Sequence, residues 1–442
     1  MDDRLLSFEI NDLYGLYNHQ ISFSNEEGLT IIHGPNGVGK TALLRSIHDL
    51  FSYKLETLSE IPFSTITARL ASSLTVTVKR IGATREQLLR RRHAPNRLEI
   101  EIRNDKRPLA NHTYFDSSST IREIPPWFEH IGPNSWLDAR SGEEVSDEEV
   151  TKYLDRPSNT RNKKNVDYIK STLDNVKVYF VETNRLYREH KNSNNWKSKD
   201  PKMVSSVRDC ASQLTYRINT ALKNYGAQSQ ELDQTFPYRF ISGPAKPMDL
   251  AELKSRLSGL AGKLAKLKGQ GILESENIHP FDSESLDKVE PHKLEIMSLY
   301  VRDSEVKLAV FDSLSDRVEL LLGGLKEKFK NKKIKLSREK GLIAVGPGDL
   351  DIPLEALSSG EQHEIVLLHE LLFKVPNNCL VLIDEPELSL HVSWQKAFLP
   401  ELLSISKFNN FYSIVATHSP YIVGHRYDLM MSLDADLDES LE

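Results

Sequence analysis

A chain of 442 residues exceeds the size at which one hydrophobic core stops growing, so a head carrying a substantial insertion, or two domains, is expected. Its 39% hydrophobic and 27% charged residues suit a globular protein with a sizeable core and exclude a largely disordered chain. The net charge of -6 gives no global attraction to nucleic acid, and Cys210 and Cys379 are too few for a disulfide framework or a cysteine zinc site. The opening MDDRLLSFEI carries acid where a signal peptide needs base, and apolar runs such as Cys379 to Ile383 are far shorter than a membrane span. We therefore expect a cytoplasmic protein with no membrane partner and with both thiols buried and reduced.

Strands are predicted at Leu6 to Ile10, Gln20 to Phe23 and Leu29 to His33, the last running into a glycine loop that opens a helix from Lys40 to Phe51. Ser73 to Arg80 and Arg97 to Arg103 alternate like antiparallel strands. Lys177 to Val181 reads as a buried strand ending in Glu182, Thr183, Asn184 and Arg185. From Leu186 to Asp200 the chain is polar and basic. Val207, Cys210, Leu214, Ile218, Leu222 and Tyr225 then recur at helical spacing, as do Phe311, Leu314, Val318, Leu321, Leu325 and Phe329. Between these stripes, Met248 to Leu267 reads as an amphipathic helix and Gly269 to Pro280 as a loop. Both stripes are read as packing faces within a helical insertion. A hairpin is predicted at Lys332 to Leu336 and Gly341 to Val345, after which helices and strands alternate. The fold class is thus α/β, divided as a first lobe over 1–185, a helical insertion over 186–330 and a second lobe over 331–442. Local basic patches at Arg90 to Arg92, Arg185 to Lys202 and Lys326 to Lys335 are read first as solvated faces.

Gly34, Pro35, Asn36, Gly37, Val38, Gly39, Lys40 and Thr41 satisfy GxxxxGK[ST] in full, after an apolar strand and at the start of a helix. In that setting backbone amides cradle phosphates, Lys40 reaches the β and γ oxygens of ATP, and Thr41 ligates Mg²⁺. The run Cys379 to Glu385 is an apolar strand ending in two acids. Asp384 is suited to hold Mg²⁺, and Glu385 to accept a proton from the attacking water. Leu357 to Gln362, reading LSSGEQ, opens a helix with a hydroxyl, a bare backbone at Gly360 and a helix N-terminus. Ser358 is the preferred hydroxyl, Ser359 the alternative, and a plain helix cap the competing explanation. Ser413 to Ala416 is a strand leading to Thr417, His418, Ser419 and Pro420, which places an imidazole at a strand end.

The ordered set GPNGVGKT, LSSGEQ, LVLIDEPELSLH and ATHSP resembles ABC-type ATPases of the SMC, RecF and OLD group, over Leu5 to Val423. The resemblance implies a P-loop head of two lobes separated by an insertion, working as a head-to-head dimer with the option of higher oligomers. It also implies that Ser358 and Gly360 of one copy meet the γ-phosphate held by Lys40 of the other. His418 would be the switch histidine, and Ser389, Leu390 and His391 would lie in the loop coupling the two sites. One departure is present: the family's Mg²⁺-sensing glutamine is missing, and the place expected for it reads Glu182, Thr183, Asn184, Arg185, with Asn184 or Glu182 as substitutes. The insertion is too long for a typical transporter subunit and too short for an SMC arm, and the chain leaves no room for an OLD-type nuclease domain. Two functions follow. One is the ATPase subunit of an anti-phage system of the PARIS or Septu kind, controlling a separately encoded nuclease or toxin. The other is a RecF-like repair clamp with DNA as its partner. The segment Ser229 to Pro237 resembles the linker of defence-type ATPases and favours the first.

Overall fold

The computed structural model describes residues 3–23, 27–81, 97–104, 107–115, 128–132, 135–138, 140–146, 160–190, 202–242, 247–273 and 291–433. The chain opens with β1 (Leu5–Leu13), β2 (Tyr17–Ser22) and β3 (Leu29–His33), then α1 (Lys40–Phe51) and α2 (Leu55–Glu60). Next come β4 (Thr65–Leu70), β5 (Leu74–Arg80), β6 (Arg97–Asn104), β7 (Arg107–Phe115), β8 (Phe128–Gly132), β9 (Ser135–Asp138) and β10 (Glu143–Ser146). Then follow α3 (Thr160–Asp174), β11 (Val178–Val181), β12 (Tyr187–His190), β13 (Lys202–Ser205), α4 (Ser206–Ser242), α5 (Leu250–Gly269), α6 (Pro291–Ala309) and α7 (Asp312–Lys328). The last part holds β14 (Lys333–Ser337), β15 (Gly341–Val345), β16 (Asp351–Ile352), α8 (Ser359–His369), β17 (Leu380–Asp384), α9 (Val392–Asn409), β18 (Tyr412–Thr417), α10 (Pro420–Val423) and β19 (Met430–Ser432).

Contacts group these elements into two compact units. The first takes the described residues within Met1–Thr183, Val375–Glu387 and Gln395–Glu442, and the second those within Asn184–Lys374 and Leu388–Trp394. The first unit holds an antiparallel sheet ordered β2-β1-β4-β5-β6-β7 and a sheet ordered β11-β17-β18-β3-β19, whose pairings are all parallel. The parallel strands read as unbroken apolar runs because both faces are covered: every residue of Leu380–Asp384 and of Tyr412–Thr417 is buried. Strand β5 of the antiparallel sheet alternates, with Val76 and Val78 inward and Lys79 outward. Leu43, Leu44, Ile47 and Leu50 of α1 join Phe8, Ile10, Ile66 and Ile100 of the antiparallel sheet and Ile32, Leu382 and Ile414 of the parallel sheet in one apolar cluster. Burying each such side chain contributes roughly 1.5–3 kcal/mol, so α1 is held by packing far more than by its own propensity.

In the second unit α4 runs for 37 residues, about 55 Å at a helical rise. Val207, Cys210, Leu214 and Ile218 line its buried face, and Leu222 and Tyr225 are half-buried on it. The whole stripe from Phe311 to Phe329 is buried. The segment Ser229 to Pro237 is not a linker: it lies inside α4, with Pro237 close to the helix end. The expected loop over Gly269 to Pro280 is helical at Gly269, and 274–280 lie outside the described residues. Arg90 to Arg92 also lie outside them. Both cysteines are free and buried, and burial pushes the Cys379 thiol up to about 12. No helix among the described residues is long and apolar enough to cross a membrane.

Candidate active site

Parallel pairing decides what meets at the carboxyl edge of the five-stranded sheet. Val181 lies opposite Ile383, Asp384 opposite Ala416, and Thr417 opposite His33. The residues just past these ends are Gly34, Glu385, His418 and the Glu182-Thr183 pair, drawn from four distant parts of the chain. This carboxyl edge is where open α/β sheets bind ligands.

The loop after β3 is fixed from below. Gly39 sits at φ 93°, and a Cβ there would stand 2.7 Å from Leu13 Cδ2, so only glycine fits. His19 is 3% exposed and stacks on Tyr17 at 5.8 Å between ring centroids. Its Nε2 lies 2.7 Å from Val38 O and donates to it, which holds the loop against β2. Burial lowers the pKa of His19, and its bond to the Val38 carbonyl requires the ring proton on Nε2.

Lys40 spends its three protons on three acceptors: Gly34 O at 2.9 Å, Pro35 O at 3.0 Å and His418 Nδ1 at 3.3 Å. An ammonium group can only donate, so Nδ1 of His418 accepts and the ring proton sits on Nε2. Nε2 in turn lies 3.4 Å from Glu385 Oε1. Lysine, imidazole and carboxylate therefore form one line. Burial draws the Lys40 pKa down, while the carboxylates of Glu385, Asp384 and Glu387 act to raise it. Glu385 has φ 44°, a left-handed turn that a glutamate adopts at a cost of about 1 kcal/mol or more, and its N–H donates to Ala416 O at 2.9 Å. That turn takes the carboxyl group off the strand line and toward His418.

Asp384, 2% exposed, accepts from Thr41 Oγ1 through Oδ2 at 2.9 Å and Oδ1 at 3.2 Å. Thr183 Oγ1 also donates to Asp384 Oδ2, at 2.8 Å. A carboxylate beside hydroxyl groups is a set of hard oxygen donors, the chemistry that suits Mg²⁺. Glu182 and Asn184, the expected substitutes for the missing glutamine, are both exposed. Glu182 instead lines a cleft of about 600 Å³ with Arg45, His48 and Lys54. Glu387, not singled out by the sequence, accepts from Thr417 Oγ1 at 2.8 Å, His418 N at 2.7 Å and Ser419 N at 3.2 Å. One carboxylate oxygen thus holds the loop that carries His418.

In the second unit, exposed Ser358 caps α8 in a reciprocal box with Glu361. Glu361 Oε2 accepts from Ser358 N at 2.8 Å and from Ser358 Oγ at 2.9 Å, and Lys332 holds the same carboxylate at 2.7 and 2.8 Å. A Cβ on Gly360 would stand 2.4 Å from Ser389 O, so the bare backbone of LSSGEQ is needed for close packing on the loop after β17. A single π-helical turn, Glu370–Lys374, ends this helix. Arg317 of α7 donates to Leu372 O, and Arg217 of α4 to Phe373 O at 2.6 Å, two carbonyls of that turn. Lys328 pairs with Glu364 one stage earlier. The insertion helices therefore grip the LSSGEQ helix along its length, which no local sequence pattern signalled.

No curated protein matches the chain. Among solved structures it is similar to the Smc head domain with an extended coiled coil bound to the C-terminal domain of ScpA from Pyrococcus furiosus. That match has 13% identity and a TM-score of 0.36, and covers 97% of this chain and 93% of that one. It is also similar to the SMC head domain from Thermotoga maritima, at 12% identity, TM-score 0.33, and coverage of 97% and 94%. A model of the AAA ATPase domain matches residues 4–423, nearly the whole sequence, and the chain belongs to that family of P-loop ATPases.

Proposed function

We propose that this chain is an ABC-type ATPase head that binds MgATP between two copies of itself and hydrolyses it with Glu385. The observation that carries this reading is the line from Lys40 through His418 to Glu385, beside the Thr41 and Asp384 pair at one sheet edge. The modules are the first lobe over 1–185 with the phosphate loop, the insertion over 186–330, and the second lobe over 331–442. Gly34 to Thr41 bind the phosphates, with Lys40 on the β and γ oxygens. Thr41 and Asp384 would hold Mg²⁺, which when bound spreads the negative charge that builds on the phosphates. Glu385 takes a proton from the attacking water. His418, fixed with its proton on Nε2, orients Glu385 and faces Lys40 with its other nitrogen. Ser358 and Gly360 of one copy close on the γ-phosphate bound by the other. To do so, the Ser358 hydroxyl can turn its proton away from Glu361 and still accept from Glu361 N, so the cap survives the exchange.

For the cellular role we propose the ATPase subunit of an anti-phage complex that controls a separately encoded nuclease or toxin. A head with a short helical insertion supports this. In the basic run Lys326 to Lys335, Lys328 and Lys332 are committed to Glu364 and Glu361, while Lys326, Lys330, Lys333 and Lys335 are exposed, so DNA binding is the alternative the test must address. The chain should hydrolyse ATP in a Mg²⁺-dependent reaction and co-purify, when co-expressed, with the product of a neighbouring nuclease or toxin gene. No Mg²⁺-dependent turnover would sink the enzymatic reading. Salt-sensitive binding of duplex DNA by the ATP-bound dimer, with no such protein partner, would replace the defence role by a repair clamp.

Glu387→Ala should lower kcat by about tenfold or more while ATP affinity changes less, because its carboxylate bonds are to the three donors that fix the His418 loop and it acts on Lys40 only through its charge. A parallel loss of ATP affinity would show that Glu387 belongs to the binding loop instead.

A further inference from the structure

Strand β11 delivers Thr183 to the oxygen that Thr41 also occupies. The two hydroxyls reach Asp384 Oδ2 at 2.8 and 2.9 Å from different elements, one past β11 and one in the first turn of α1. Asp384 is 2% exposed and lies at the end of β17, so these two bonds bear on its orientation inside the fold. Each threonine oxygen, having given its proton to the carboxylate, keeps two lone pairs. A hydroxyl in that state can accept from a metal-bound water or meet the cation itself.

We propose that Thr183 is a positioning residue of the Mg²⁺ site, aligning Asp384 from β11 and presenting a second hydroxyl oxygen toward the cation or its water shell. The proposal rests on the MgATP reading of the same site. It gives the first-lobe strand a direct tie to the metal carboxylate, the place where the sequence offers Glu182 and Asn184. Both of those are exposed, and Glu182 lines the cleft with Arg45 and His48, away from this role. Thr183 reaches Asp384 directly, through its hydroxyl at 2.8 Å. Val is the telling replacement, because it keeps the branched shape and loses only the oxygen.

The test is ATP binding by calorimetry across a Mg²⁺ titration, using the full chain as wild type, Thr183→Val, Thr183→Ser and Lys40→Ala. Wild type should show affinity that rises with Mg²⁺. Thr183→Val should raise the half-saturating Mg²⁺ concentration by about 10- to 100-fold, the usual effect of removing a group that orients a metal ligand, with metal-free ATP affinity unchanged. Thr183→Ser should restore the wild-type midpoint, which a purely structural role of the side-chain bulk would not predict. A wild-type midpoint in Thr183→Val would overturn the proposal while leaving the MgATP reading intact. Full ATP affinity in Lys40→Ala, or wild-type binding indifferent to Mg²⁺, would overturn that reading and this proposal together. If Thr183→Val melts below the working temperature, the midpoint of Thr183→Ala decides the matter in the same way.

Discussion

Glu385→Gln is expected to bind ATP as wild type does and to lose turnover by about 10²- to 10⁴-fold, the share that a positioned base contributes. The amide fills the same space at the left-handed turn after β17 and can still accept the Nε2 proton of His418 through its oxygen, so the fold of the site should persist. What it cannot do is take a proton from water. With binding intact and chemistry stopped, the ATP-bound dimer should accumulate. Single-turnover phosphate release and sedimentation with ATP measure both halves of this expectation. Turnover equal to wild type would move the base elsewhere, and His418, 3.4 Å away, would be the first group to test.

The parts of the site that a reader could find in the sequence are those whose chemistry is local. The phosphate loop needs its glycines and lysine within one turn, and α1 starts at Lys40 and ends at Phe51 as the spacing predicts. Ser358 with Glu361 three residues on is a capping box, legible as a helix start, and the structure shows both reciprocal bonds. The apolar runs of β3, β17 and β18 were legible because a parallel sheet buries both faces. Thr183, Glu387 and His19 were not, since each acquires its role from strand register. A threonine after β11 means nothing until Val181 is known to lie opposite Ile383. Glu387 becomes an anchor only because β18 ends beside it and supplies two backbone N–H groups. Arg217 and Arg317 were hidden for a related reason: they act on carbonyls of a π turn more than fifty residues away. The reading of Ser229 to Pro237 as a linker rests on resemblance alone and not on residue pattern, and the segment is helical. Within α4 five more helical residues follow the proline, which forfeits one backbone bond, to the Asp233 carbonyl, of a 37-residue helix. Strands β8 to β10 form a small three-stranded sheet and β12 with β13 a two-stranded one, both of mixed polarity with no apolar run to announce them.

The largest loss of binding is expected from Lys40→Ala, which removes the one ammonium group the loop aims at the phosphates. Charged hydrogen bonds of this kind contribute about 1.5–3 kcal/mol, so ATP affinity should fall by roughly 10- to 100-fold or more. Its bonds to Gly34 O and Pro35 O also go, and an unchanged Tm would show that the loop itself survives. Undiminished affinity would end the assignment of the loop. The same variant tests whether the site is shared between copies. Ser358→Arg should spare ATP binding by one head yet block closure, because exposed Ser358 would carry bulk and charge against the partner's nucleotide. Each variant alone should be inactive. In a mixed dimer, however, one composite site carries both lesions and the other carries neither. Hydrolysis should then return on mixing, to a level set by the fraction of mixed dimers and by how far one intact site can fire without its twin. Recovery on mixing is the signature of Ser358 acting on the partner's ATP. Normal hydrolysis by Ser358→Arg alone, with dimerisation unchanged, would confine Ser358 to the helix cap that its bonds to Glu361 already make.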